Sequence, residues 1–278
     1  MKVVTEILHM FYEVFWFIGL SAIQWIVGRK EKSVTRNICL ITGSAGGTGR
    51  YFALEFAKKG AILVLWDTNE KGNESTAKKA RDLGAKVYTY TCDVSHKETV
   101  YETAERVKQE VGDVTILINN AAIRTQTSFL QCEDELLERI LQTNSHAHFW
   151  TVKAFLPRMM EMNHGHIITV TSNLGLVATA YMEGYCTSQF AAVGFHESLS
   201  HELKARRITD VKTTLICFCL VTGFPLRKEY FVRQAMKGIL TDQHVIYTPR
   251  LLYITAFLKH VLPWDAQIHC SKRLDIKV

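Results

Sequence analysis

The chain has 278 residues, 47% of them hydrophobic and 22% charged, with a formal net charge of +6. That apolar share excludes a disordered or fibrous chain. The positive charge is spread along the sequence rather than gathered into a basic stripe, which excludes nucleic acid as a partner. Seven cysteines, an odd number without repeating spacing, argue against a disulfide framework and for a reducing compartment.

The first segment with a character of its own runs from Ile7 to Val27, ILHMFYEVFWFIGLSAIQWIV. It approaches the ~20 apolar residues that a bilayer span needs, but His9, Glu13 and Gln24 interrupt it. The aromatic cluster Phe11, Tyr12, Phe15, Trp16, Phe17 and Trp25 suits an interfacial helix as well as a span. Arg29, Lys30, Lys32 and Arg36 follow directly and favour a cytoplasmic position for what comes next. No basic leader region or small-residue cleavage site frames the stretch as a signal peptide. Residues 1–30 are therefore expected to form a membrane-associated helix, lying in the interface or spanning.

From Asn37 the pattern changes to short apolar runs alternating with helical spacing. Strands are predicted at 38–42, 61–66, 86–91, 114–119, 165–171 and 211–217, with helices between them at 72–83, 96–111 and 133–162. Near-continuous apolar strands separated by helices imply a parallel sheet covered on both faces. The expected fold is α/β, a Rossmann-like doubly wound parallel sheet forming a single domain over 37–278. A further apolar stretch, LLYITAFLKHVLPW at 251–264, suits either a membrane surface or the cover of a sheet edge.

The first strand leads into Thr42-Gly43-Ser44-Ala45-Gly46-Gly47-Thr48-Gly49-Arg50 and then a helical pattern. Glycines let the backbone turn sharply and approach a pyrophosphate, whose charge is favoured at a helix N-terminus. Asp67 closes the second strand, where a carboxylate hydrogen-bonds a ribose 2′-hydroxyl and repels a 2′-phosphate. The expected cofactor is NAD, with NADP as the alternative, held by Gly43, Ser44, Gly47, Thr48, Gly49 and Asp67. No histidine or cysteine spacing predicts a metal site, and Ser172 lacks the elbow of a hydrolase nucleophile.

The spacing Thr42-Gly43-x-x-x-Gly47-x-Gly49 resembles the cofactor turn of the short-chain dehydrogenase/reductases. Cys92-Asp93-Val94, Asn119-Asn120-Ala121-Ala122, Asn144, and Ser172 thirteen residues before Tyr185 resemble the family's other motifs, over about residues 37 to 260. The stretches VLWDTN, HFWTVKAFLP and HGHIITVTS are similar to the membrane-associated epidermal retinol and hydroxysteroid dehydrogenase branch. The resemblance implies oxidation of a lipophilic retinol- or steroid-type alcohol, or the reverse reduction, at an endoplasmic reticulum or lipid-droplet surface facing the cytoplasm. It implies Tyr185 as proton acceptor, Ser172 as hydrogen-bond partner of the substrate oxygen, and Asn144 as holder of a helix kink and water chain. Asp93 would contact the adenine and Asn120 would line the cofactor ribose. A homodimer through the helix that carries Tyr185 is compatible with its apolar spacing, as is packing on the sheet.

Three departures cluster around the reacting end. The family's lysine four residues after the tyrosine is Gln189 here, which can still hydrogen-bond a ribose but carries no charge to favour the Tyr185 phenolate. Free tyrosine titrates near pH ~10, so losing a nearby cation costs several-fold to about a thousandfold in rate. Ala122 replaces a glycine and is expected to crowd the backbone beside the cofactor. The run Cys217-Phe218-Cys219-Leu220-Val221-Thr222-Gly223 lacks the family's proline and is one residue shorter, which predicts a poorly closed pocket. Two readings stay open: an active oxidoreductase, and a catalytically impaired relative that binds cofactor or partners at a lipid surface.

Overall fold

The computed structural model describes residues 2–27, 30–219 and 228–273. The chain divides into two units, Met1–Lys32 and Ser33–Val278. The first holds a single helix, α1 (Lys2–Val27). Val4, Ile7, Leu8, Phe11, Phe15 and Trp16 are among its exposed apolar side chains, and His9 and Glu13 lie 3.9 Å apart, one turn from each other. Among the described residues no helix is long and apolar enough to cross a membrane. The polar residues that interrupt the apolar run account for this.

The second unit is built on seven parallel strands in the order β3-β2-β1-β4-β5-β6-β7. They are β1 (Ile38–Thr42), β2 (Ile62–Asp67), β3 (Val87–Thr91), β4 (Ile116–Asn119), β5 (Gly165–Ser172), β6 (Val211–Phe218) and β7 (Val245–Thr248). The helices are α2 (Gly47–Lys58), α3 (Glu70–Asp82), α4 (Lys97–Glu110), α5 (Asp134–Leu141), α6 (Ala147–Glu161), α7 (Glu183–Ala205), α8 (Lys228–Leu240), α9 (Leu251–Val261) and α10 (Trp264–Arg273).

Strand residues alternate between two cores because successive side chains leave a strand on opposite faces. Cys39, Ile41, Leu63, Leu65, Ile116 and Ile118 join α2, α3 and α8 on one face. Leu40, Val64, Trp66, Leu117 and Ile167 join α4, α6 and α7 on the other. Both faces are therefore covered, which explains why the strands read as unbroken apolar runs.

The sequence reading missed β7, whose VIYT is too short to carry a period. Helix α9 packs on that edge strand, where Tyr253 donates to the Val245 carbonyl at 3.2 Å and Leu252 is buried. Leu251, Ile254, Phe257 and Val261 remain exposed. The stretch thus covers the sheet edge with one side and keeps an apolar face outside.

Candidate active site

The strand order reverses between β1 and β4, and in sheets of this kind ligands bind beyond the strands' C-terminal ends at such a switch point. The glycine turn leaves β1 at this point. Gly43 and Gly47 take φ of 67° and 54°, the left-handed region that favours glycine. A Cβ on Gly49 would sit 2.2 Å from the Gly43 carbonyl oxygen, and one on Gly43 would sit 2.8 Å from Ala121 Cα. Gly46, by contrast, faces open space and is the N-cap of α2 without any side-chain cap. The first turn of α2 therefore offers backbone N–H groups and the positive end of its dipole to an anion. These features fit a dinucleotide pyrophosphate.

The expected partners converge on this turn. Asp67 accepts from Ala45 N–H at 2.8 Å and from Asn69 N–H at 2.9 Å, which fixes the carboxylate at the end of β2 beside the turn. Asn120 donates to the Thr42 and Gly43 carbonyls at 2.9 and 3.2 Å and accepts from the Thr48 hydroxyl at 2.6 Å. Thr42 Oγ1 accepts from the N–H groups of Asn120 and Ala121. Asp93 lies after β3. Burial would raise its carboxyl, but hydrogen bonds from the Ser95 hydroxyl and N–H outweigh that and hold it below the usual value.

Ser44 is placed differently from the expectation. Its hydroxyl is buried, 2.7 Å from Asn73 Oδ1 and 3.1 Å from the Trp66 carbonyl, and its N–H bonds to Trp66 too. Ser44 braces the turn from behind. Sequence reasoning also passed over Lys228 at the start of α8, whose Nζ comes within 4.0 Å of where a Cβ on Gly47 would lie.

The reacting end is built by β5 and α7. Ser172 closes β5, and Tyr185, in the first turn of α7, is buried, with Ser172 close enough to lower its pKa. Helix α5 passes into α6 through a π-turn at Gln142–His146. Buried Asn144 sits in that π-turn, which places an extra residue in the helical run. Asn144 accepts from Ile123 N–H at 2.8 Å and donates to the Ile123 carbonyl at 2.9 Å and to Ser188 Oγ at 3.0 Å. A shallow hollow beside the start of α7 is lined by Thr125, Thr127, Phe129, Leu137, Met182 and Gly184.

Burial pushes the Tyr185 phenol above its ordinary pKa, against neighbouring Ser172 and the charge of Arg124, both of which lower it. No lysine stands one turn along. Gln189 does, and its carboxamide is turned into the fold, where Oε1 accepts from the buried Ser172 N–H at 2.7 Å. That bond competes with the ribose contact expected of it. Ala122 is exposed, with φ outside the left-handed region. Thr222, Gly223 and the shortened segment around them lie outside the described residues.

A family model described as short chain dehydrogenase matches residues 37–224. Retinol dehydrogenase 10 of Homo sapiens is 49% identical over 309 aligned positions, covering 96% of this chain and 91% of the relative. Retinol dehydrogenase 10-B of Danio rerio is 48% identical over 302, covering 96% and 90%. Both alignments exceed the 278 residues present here, so the relatives carry residues within the matched stretch that have no counterpart in this chain. Among solved structures, a short chain dehydrogenase/reductase from Burkholderia phymatum in complex with NAD superposes with a TM-score of 0.79 at 23% identity. That match covers 86% of this chain and 96% of the other. A metagenomic short-chain oxidoreductase in complex with NADP gives 0.69 at 22%, covering 78% and 96%.

Proposed function

Since this chain belongs to the short-chain dehydrogenase family, we propose that it is an NAD(P)-dependent oxidoreductase of a lipophilic retinol-type alcohol at a membrane surface. The observation that carries this reading is the convergence at the C-terminal ends of the strands of an uncapped glycine turn, Asp67, and a buried tyrosine near Ser172. Gly43, Gly47, Gly49, Thr48, Asp67, Asp93 and Asn120 would hold the dinucleotide. Asp67 favours NAD, because a 2′-phosphate would face its carboxylate. When bound, the nicotinamide supplies the acceptor for a hydride from the carbinol carbon. Ser172 Oγ orients the substrate hydroxyl, and the Tyr185 phenolate takes its proton as the carbonyl forms. Asn144 fixes the helical run at its π-turn against the loop after β4, which keeps Ser188 and the first turn of α7 in place.

The raised pKa of Tyr185 and the neutral Gln189 favour a second reading, in which the cofactor is held but slowly used. Below a group's pKa each unit of upward shift removes about tenfold of the charged form, so the two readings differ in rate rather than in fold. The exposed aromatic side chains of α1 support attachment to the cytoplasmic face of an endoplasmic reticulum or lipid-droplet surface.

The test uses detergent-extracted full chain, with NADH fluorescence for binding and retinol oxidation for turnover. Binding together with turnover that Tyr185→Phe reduces about 100-fold or more supports the active reading. Binding without turnover supports the second, and absence of binding removes both. Membrane retention under carbonate wash that survives deletion of residues 1–30 would remove the role given to α1.

A further inference from the structure

Helix α8 opens on a lysine that the reading above leaves without a task. Its position follows from the packing of α8 on α2. Phe231, Val232 and Ala235 of α8 are buried in one cluster with Phe52, Ala53 and Phe56 of α2. Phe218, the last residue of β6, links the two helices, its ring centroid 6.3 Å from that of Phe52 and 5.7 Å from that of Phe231. Lys228 precedes Phe231 by three residues and Val232 by four, so it continues the same helix face by one turn. That turn brings it to the glycine run, where Lys228 Nζ comes within 4.0 Å of the place a Cβ on Gly47 would take. Gly47 has no side chain to hold the ammonium away, and Gly46 beside it faces open space.

The chain does not answer the charge at this point. Among the described residues the Lys228 ammonium makes no ion pair or hydrogen bond. The acidic groups nearby on α8 and α2 are engaged elsewhere, Glu229 by Arg233 and Glu55 by Lys58. The eight residues before Lys228, LVTGFPLR, contain no carboxylate. Arg50, the other cation of the turn, is held by the Ala45 carbonyl and the Thr76 hydroxyl. The first N–H groups of α2 have no side-chain cap. An ammonium and the positive end of a helix dipole thus meet beside Gly47, and an anion is favoured between them.

We propose that Lys228 binds the pyrophosphate of the dinucleotide, adding a full positive charge to a turn that otherwise offers backbone N–H groups. The inference rests on that turn holding a dinucleotide, and it gives α8 a part in cofactor recognition. A lysine suits the task, because its ammonium acts on a phosphate as a mobile point charge. Lys228 belongs to the phosphate end of the site, so its effect is on affinity and not on the chemical step.

The experiment titrates NADH and ADP-ribose, which share the pyrophosphate, into detergent-extracted full chain and follows binding by calorimetry. Lys228→Gln, Lys228→Arg and Lys237→Gln are compared with the unmodified chain. Lys237 is the matched control, an exposed lysine in the last turn of the same helix. Lys228 is exposed as well, and an unchanged Tm checks that each variant folds. Lys228→Gln should weaken both probes by the same factor, roughly five- to thirtyfold, and make affinity less sensitive to added salt. Lys228→Arg should keep most of the affinity, and Lys237→Gln should bind as the unmodified chain does. In retinol oxidation the KM for NAD should rise in Lys228→Gln while kcat stays unchanged. Unchanged affinity in Lys228→Gln, an equal loss in Lys237→Gln, or a loss for NADH without one for ADP-ribose overturns the proposal while the cofactor reading stands. Failure of the unmodified chain to bind either probe removes the cofactor reading, and the role of Lys228 with it.

Discussion

Where β1, β2 and β4 end, polar side chains answer one another. Asp67 closes on Ala45 N–H, Asn120 on Thr42, Gly43 and Thr48, and Thr42 on the backbone after β4. Where β5 ends and α7 begins, the same kind of closure is achieved by Gln189 on Ser172 N–H, yet the buried phenol beside it has no cation one turn along its own helix. The groups at the glycine turn hold the fold together and, in the proposed reading, would face the cofactor at once. At the tyrosine these duties separate, since a neutral carboxamide satisfies the backbone as well as any group can and contributes nothing to a phenolate. Holding a dinucleotide follows from the packing of this chain, whereas using it depends on a charge that packing does not require.

The strongest challenge to that contrast is Gly49→Ala. The new methyl would meet the Gly43 carbonyl oxygen at 2.2 Å, and nearby backbone cannot yield cheaply. The expected cost is about 3 kcal/mol, or roughly 6 to 12 °C in Tm for a domain of this size, with NADH fluorescence lost. Gly46→Ala, which meets nothing within 4 Å, is the matched control and should bind normally. Equal behaviour of the two variants would show that the turn is less constrained than its geometry states.

Gln189→Lys addresses the other side. The gain is a cation one turn from Tyr185, and about ten- to a hundredfold in turnover is expected. The structure adds an opposing effect that the sequence alone does not reveal. A lysine cannot accept a hydrogen bond, so the Ser172 N–H is left buried without its partner, at a cost of about 1–3 kcal/mol. Faster turnover with a lower Tm is the signature; faster turnover with unchanged Tm would mean that the Ser172 bond is worth little.

The difference between the regions also explains what could be read beforehand. The sheet was legible because burial on both faces leaves unbroken apolar runs, and the glycine turn because its steric demands admit few residues. Asn144, Ser172 and Tyr185 were legible by spacing, and the structure brings them to one place. The inward turn of Gln189 was not, because it depends on a buried Ser172 N–H at the end of β5 that only the packing of α7 brings within reach. Ser44 misled for a related reason: a serine within a glycine turn looks outward until Asn73 is found behind it.

The smallest expected effect concerns acid, and it separates the regions by stability. His148 on α6 is pushed down to about 4 by burial. His196 on α7 is pushed down to about 3 by burial first, then by nearby His244 and His148. Neither His148 Nδ1 nor His196 Nε2 has a partner among the described residues. Both folded-state values lie below the unfolded value of about 6.5. The unfolded chain therefore binds more protons as pH falls from about 6.5 toward 4, and the folded state loses roughly 1.4 kcal/mol per pH unit for each histidine. Above that window the contribution is fully present. Both histidines sit on the helices that pack the Tyr185 side of the sheet, and neither touches the glycine turn. Hydrogen exchange at pH 5 against pH 7 should then show protection falling more in α6 and α7 than in α2, with His148→Gln reducing the difference. An even loss over all three helices would mean that the two regions open as one unit, and that the contrast between them is chemical without being mechanical.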